Sequence, residues 1–210
     1  MFREDQPFGK VVSALFDQFF LSMCFCISSF PVFTAGAAAV AMYEVQYALR
    51  EGRSGNLAKD YFFAFRRNFK KGCQAFLVIL ALVILAVGGC YGALAMGFLA
   101  YMPARILAAV VLAVLGFTIC WMLPLLARFD QKLLTTLYNA YRIGLENLLY
   151  SLLLLALNMA FPVLFLVVPQ FLLGGYLFML LFFSPGVSTM LSGRIVLWVL
   201  AKKYQTDGQG

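Results

Sequence analysis

The chain has no histidine. That excludes Ser-His-Asp hydrolysis, histidine-ligated zinc or haem, and a histidine proton relay. Charge is scarce: 12% of the 210 residues are charged, and nine acids face sixteen bases. A soluble domain carries about 25%. No pair of acids occupies an outer-face position suited to general acid–base work. The five cysteines, Cys24, Cys26, Cys73, Cys90 and Cys120, form no C-x-x-C pair. Lying mostly inside apolar runs, they read as small hydrophobes rather than metal or redox ligands. The expectation is a protein that is not an enzyme and holds no metal or cofactor.

What the chain has in abundance is apolar surface, with 63% of its residues hydrophobic. A soluble core could not hide that much, so lipid is the expected solvent. The first run, Val11 to Phe33, is long for the apolar region of a cleaved leader, and Arg3 and Lys10 ahead of it are balanced by Glu4 and Asp5. It is expected to be a retained span. Around Ser28 to Gln46 that run ends at Pro31, which lacks the N–H a helix interior needs. Thr34 is then placed to cap an alanine-rich helix that carries the lone acid Glu44.

The pattern predicts an all-α, polytopic membrane bundle in a single domain over residues 1–210. Its spans are 11–30, 35–50, 75–101, 104–127, 148–168 and 170–201. Twenty helical residues cover about 30 Å, the thickness of the hydrocarbon core. The short second span suits the bundle interior, because its alanines and Gly36 permit close approach; a re-entrant hairpin with the first span is the alternative. The last span, broken at Ser184-Pro185-Gly186, is one kinked helix or two half-spans. Segments 57–71 and 129–147 read as interfacial amphipathic helices. Leu57, Tyr61, Phe65 and Phe69 share one arc of about 140°, as do Leu134, Tyr138, Tyr141 and Leu145. Basic residues lie opposite: Arg66, Arg67, Lys70 and Lys71 in the first, Lys132 and Arg142 in the second, with Arg128 just ahead of it. A surface for a soluble partner is the alternative for these two segments.

With both termini inside, six spans put fourteen of the sixteen basic residues on the inner side, leaving Arg105 at an outer end and Arg194 within a span. The positive-inside rule thereby accounts for the net charge of +7 without a nucleic acid partner. Inside the spans, Asp17, Glu44, Asn158 and Arg194 form the candidate intramembrane polar site. Asp17, Glu44 and Arg194 lie six to eight residues from the basic residues marking the inner face, so about 9–12 Å deep. A shared depth suggests that Arg194 pairs with Glu44, with Asp17 nearby.

The runs P-V-F-T-A-G-A at 31–37, which contains Pro31, Thr34 and Gly36, and D-Y-F-F-A-F-R-R-N-F-K at 60–70, which contains Asn68 and Phe69, are joined by P-L-L-A-R-F at 124–129 and N-A at 139–140. In order and spacing they resemble the YesL-like integral membrane proteins, domain-of-unknown-function family 624, over about residues 5 to 204. The resemblance implies a small multi-pass protein of the bacterial cytoplasmic membrane with no catalytic residue to carry over. It further implies association with carbohydrate uptake, because such proteins are often encoded beside carbohydrate ABC transporters and sugar-responsive regulators. The expected function is a non-enzymatic accessory or regulatory partner of such a permease, in contact with the lipid bilayer; the permease or a second copy of itself in a homo-oligomer is the expected protein partner. The alternative is a transporter or channel in its own right, using the intramembrane polar residues.

Overall fold

The computed structural model describes residues 7–97, 101–167, 174, 175, 177 and 182–207. Among them the chain forms seven α-helices and no strand: α1 Pro7–Ser28, α2 Ala35–Arg50, α3 Leu57–Ala95, α4 Met102–Arg128, α5 Leu133–Glu146, α6 Leu148–Val167 and α7 Ser184–Asp207. The fold is an all-α helical bundle. Most of the expected last span before Ser184 lies outside the described residues.

The chain turns from α1 into α2 through the 3-10 segment Val32–Thr34. Thr34 does not cap α2 as expected. Its hydroxyl donates to the carbonyls of Ser28 and Pro31, at 2.6 Å each. The 3-10 turn runs straight into α2 and already supplies a carbonyl, that of Val32, for the Ala35 N–H. The Thr34 hydroxyl is therefore free to satisfy the orphaned C-terminal carbonyls of the preceding segment.

α2 is buried along most of its length, from Gly36 to Tyr47. Small residues bring it against α3. A Cβ on Gly36 would lie 2.2 Å from the Gly72 carbonyl oxygen, and one on Gly72 would lie 2.4 Å from the Ala37 Cα. This is the close backbone packing expected of a buried, small-residue helix.

Residues 57–71 are not a separate surface helix. They are the first part of α3, which runs unbroken for 39 residues. At 1.5 Å per residue that is about 58 Å, roughly twice the hydrocarbon thickness, so one end must project beyond it. Nothing between Lys71 and Phe76 breaks the helix: Gly72 is the sole poor helix former there, and its packing against α2 holds it in place. Asn56 caps the start, its side chain accepting from the Lys59 N–H. Only part of the apolar face of 57–71 packs on protein, and Phe62 and Phe69 stay exposed. Tyr61 and Ala64 are buried with Leu21, Cys24, Ala41, Met42 and Val45 in a cluster shared by α1, α2 and α3.

A second core joins α2 through α7 around Val40, Ala75, Trp121, Leu125, Leu154 and Val196. α5 packs back along α4 through Thr136, Ala140, Ile143 and Gly144. A Cβ on Gly144 would meet the side chains of Phe117 and Trp121. Its predicted apolar arc faces outward instead, with Leu134, Tyr138, Tyr141 and Leu145 exposed. α6 leaves α5 at 108°. The corner is tied by hydrogen bonds: the Trp121 indole N–H donates to Ser151 Oγ at 2.8 Å, and the Ser151 hydroxyl donates to the Gly144 carbonyl at 2.8 Å.

By length and composition α3 and α4 can each cross a membrane, and α5 with α6 makes a third candidate if the bent pair counts as one span. The apolar part of α1, Val12–Ser28, is shorter. The outer halves of α3 and α4 pack mainly on each other and leave large hydrophobic side chains exposed, from Leu77 to Leu94 and from Ile106 to Leu112.

Candidate functional site

The four polar residues expected inside the spans are divided among three places. Asn158 on α6 is tied to α7: its amide donates to the Leu154 carbonyl at 2.8 Å and to Ser192 Oγ at 3.5 Å, and its oxygen accepts from the Ser188 hydroxyl at 3.1 Å. An asparagine satisfied in this way links helices where the surroundings supply no water.

Glu44 does not pair with Arg194. It forms an ion pair with Arg67 on α3, and the Asn68 amide donates to its other oxygen at 2.6 Å. Asn68 also donates to the Ala64 carbonyl at 2.9 Å, so it is clamped while it holds the carboxylate. Depth was the wrong criterion for this pair. At 100° per residue, Glu44 lies about 200° around α2 from Gln46 and about 240° from Arg50, so it faces α3 while those two face α1 and α7.

Glu44–Arg67 belongs to a belt of charge pairs joining α2, α3 and the end of α4. Lys71 pairs with Asp130, and Arg128 pairs with Glu51 at 2.6 Å, while Arg53 also bonds Glu51. Hydrogen bonds from Arg53 and then Arg128 hold the Glu51 carboxyl below its ordinary range. Lys71 does the same to Asp130. The Arg67 guanidinium also sits over the Phe63 ring, and that of Arg128 over Tyr47, each 6.0 Å from the centroid. A polar cavity of about 370 Å³ is lined by Arg67, Asn68, Lys71, Arg128 and Asp130. Of the other expected interfacial residues, Arg66, Lys70 and Lys132 are exposed, as is Phe69, which packs edge-on to Phe65 at 5.6 Å. Arg142 pairs with Glu146 one turn along α5, at 2.7 Å.

Asp17 and Arg194 do come together. With Gln18, Gln46 and Arg50 they line a cavity of about 250 Å³ between α1, α2 and α7. Its geometry follows from close helix approach. Gly186 lets the start of α7 reach α1, where a Cβ would lie 2.6 Å from the Gln18 carbonyl oxygen. Ser22 Oγ accepts from the Gly186 N–H at 2.9 Å. Gly193 lets Tyr47 lie against α7, where its ring would be 3.2 Å from an added Cβ. At the cavity wall the Gln46 amide donates to the Gln18 side-chain oxygen, and both residues are buried. Asp17 is half-buried, while Arg50 and Arg194 are exposed. Gln18, Gln46 and Arg50 were not singled out from the sequence. The signal available was their spacing: Asp17 adjoins Gln18, and Gln46 and Arg50 are one turn apart on α2.

Fold and composition define a helical integral membrane protein, with apolar helices of membrane length and a charged belt at one end of them. Residues 18–88 match the family "Protein of unknown function, DUF624", the family the sequence resembles. The matched stretch includes the Gly36–Gly72 contact and the Glu44–Arg67–Asn68 cluster. No curated protein and no solved structure matches the chain.

Proposed function

We propose that this is a non-enzymatic accessory or regulatory protein of the bacterial cytoplasmic membrane that acts by holding a partner membrane protein, with a carbohydrate permease as the partner the family resemblance implies. The observation that supports the reading is the α3–α4 hairpin. Beyond its contact with the bundle it presents apolar flanks, and among the described residues Gly88 and Gly92 of its G-x-x-x-G sequence have nothing within 4 Å of where a Cβ would stand. A small-residue face left open inside this chain leaves room for a helix of another. The charge belt lies on the cytoplasmic side in this reading, with both termini.

Detergent-stable co-purification with the permease, lost when Gly88 and Gly92 are replaced by leucine, is the expected result. Purification as a lone, monodisperse species from membranes that contain the permease overturns it. A second reading, a transporter in its own right, is favoured by the charged cavity of Asp17, Arg50 and Arg194. Solute flux into liposomes holding the purified protein alone would select it over the first.

A further inference from the structure

In the cavity between α1, α2 and α7, charged and polar groups converge without satisfying one another. Among the described residues Asp17, Arg50 and Arg194 make no ion pair and no side-chain hydrogen bond. The contrast with the belt is sharp, since there Arg67, Lys71 and Arg128 each have a carboxylate. Gln18, only 4% exposed, accepts from Gln46 through its oxygen. Its own amide N–H groups are left without a partner among the described residues, in the cavity lining. With Arg50 and Arg194 exposed and Asp17 half-buried, the three charged groups are open to water and to a ligand.

We propose that this cavity binds a phosphate ester carrying a polyol hydroxyl. Two guanidinium groups from different helices suit a phosphate, whose oxygens match their forked donors. Asp17 can accept only from a donor, which a bare phosphate lacks and a hydroxyl supplies. Two arginines and one carboxylate leave a net positive charge, which favours an anionic phosphate ester over a neutral ligand. The Gln18 amide adds a neutral donor. At about 250 Å³ the cavity is smaller than most drug-sized sites and of a size for a headgroup. The same chemistry has two sources, the headgroup of a glycerol-bearing phospholipid and a soluble glycerol phosphate.

The test uses the full chain purified in detergent, with saturable shifts in unfolding temperature and native mass spectrometry as readouts. The probes are phosphatidylglycerol, phosphatidylethanol and sn-glycerol 3-phosphate. Phosphatidylglycerol is expected to bind more tightly than phosphatidylethanol, which carries the same single negative charge and no hydroxyl. Arg50→Gln and Arg194→Gln are each expected to weaken binding about tenfold or more. Asp17→Ala, which removes the acceptor, is expected to erase the preference between the two lipids while binding persists. Saturation by glycerol phosphate as well as by lipid assigns the soluble source, and saturation by the lipid alone assigns the headgroup. Both arginines are exposed, so the variants should keep cooperative unfolding; where one does not, Arg50→Lys and Arg194→Lys replace it and should bind with intermediate affinity. Absence of saturable binding by phosphatidylglycerol and glycerol phosphate alike overturns the proposal, as does binding that is indifferent to both arginine substitutions.

Discussion

Gly36 on α2 and Gly72 on α3 touch backbone to backbone: a Cβ on the first would lie 2.2 Å from the carbonyl oxygen of the second. The contact lets the short α2 sit in the bundle interior, and it brings Glu44, two turns along α2 from Gly36, within reach of Arg67 and Asn68, which precede Gly72 by little more than one turn on α3. Both the buried helix and the belt of charge pairs depend on it.

The first prediction follows directly. In a helix, alanine for glycine ordinarily stabilises by up to about 1 kcal/mol. At Gly36 the obstructing atom is backbone and cannot swing aside, so Gly36→Ala should instead cost about 1–3 kcal/mol. Gly88→Ala, with no neighbour among the described residues, should be neutral or stabilising. Unfolding temperatures in one detergent check both, and equal behaviour of the two variants would refute the close contact.

Glu44 should couple to Arg67 and not to Arg194. The side chains of Glu44 and Arg67 are 19% and 58% exposed. Solvent screening therefore limits the pair to about 0.5–1 kcal/mol. In double-mutant cycles Glu44→Gln with Arg67→Gln should be non-additive, and Glu44→Gln with Arg194→Gln additive. The reverse pattern would place Glu44 in the cavity of Asp17.

Ser151 secures the α5–α6 corner. Ser151→Ala leaves the Trp121 indole N–H buried without its partner, both residues being fully buried. The expected cost is about 1–3 kcal/mol. Trp121 emission should also shift to the red as water reaches the corner, measured in a Trp198→Phe background, because these are the two tryptophans. Unchanged stability and emission would show that the corner holds without this bond.

Acid should loosen the belt through Glu51. Its carboxyl is held below the ordinary range by Arg53 and Arg128. A lowered folded-state pKa means that the stability it contributes is present above the unfolded-state value. That stability is lost as pH falls through the folded-state value. The wild type should therefore lose more unfolding temperature between about pH 6 and about pH 3 than Glu51→Gln does. Parallel pH profiles would remove Glu51 from the acid response.

Orientation is open to direct measurement. Reporter fusions after Asn147 and Lys203 should report the cytoplasm, and one after Tyr101 the opposite side. Replacing Arg66, Arg67, Lys70 and Lys71 with glutamine should weaken insertion or invert local topology.

Much of the architecture is readable along the chain because it depends on local composition. Apolar runs, prolines and basic clusters mark α1, α2, α4 and α6 to within a few residues. The small-residue character of α2 correctly signals a buried helix. The division at 72–75 is misread for a local reason as well: a basic stretch followed by an apolar one looks like two elements, yet nothing there interrupts the hydrogen-bond ladder. Asp17, Glu44 and Arg194 are visible as charges within apolar runs, and their positions along each helix follow from counting residues.

What counting residues cannot supply is azimuth. Depth in a helical bundle is set by rise along the chain, so the sequence alone determines which charges share a level. Which of them meet depends on the direction each side chain takes around its helix and on which neighbour that face receives. Those choices rest on contacts between distant segments: Gly36 on Gly72, Gly186 on Gln18, Gly193 on Tyr47. Only the packed tertiary structure turns Glu44 toward Arg67 and sets Asp17, Arg50 and Arg194 around one cavity, because a close approach between two helices is a property of both surfaces at once.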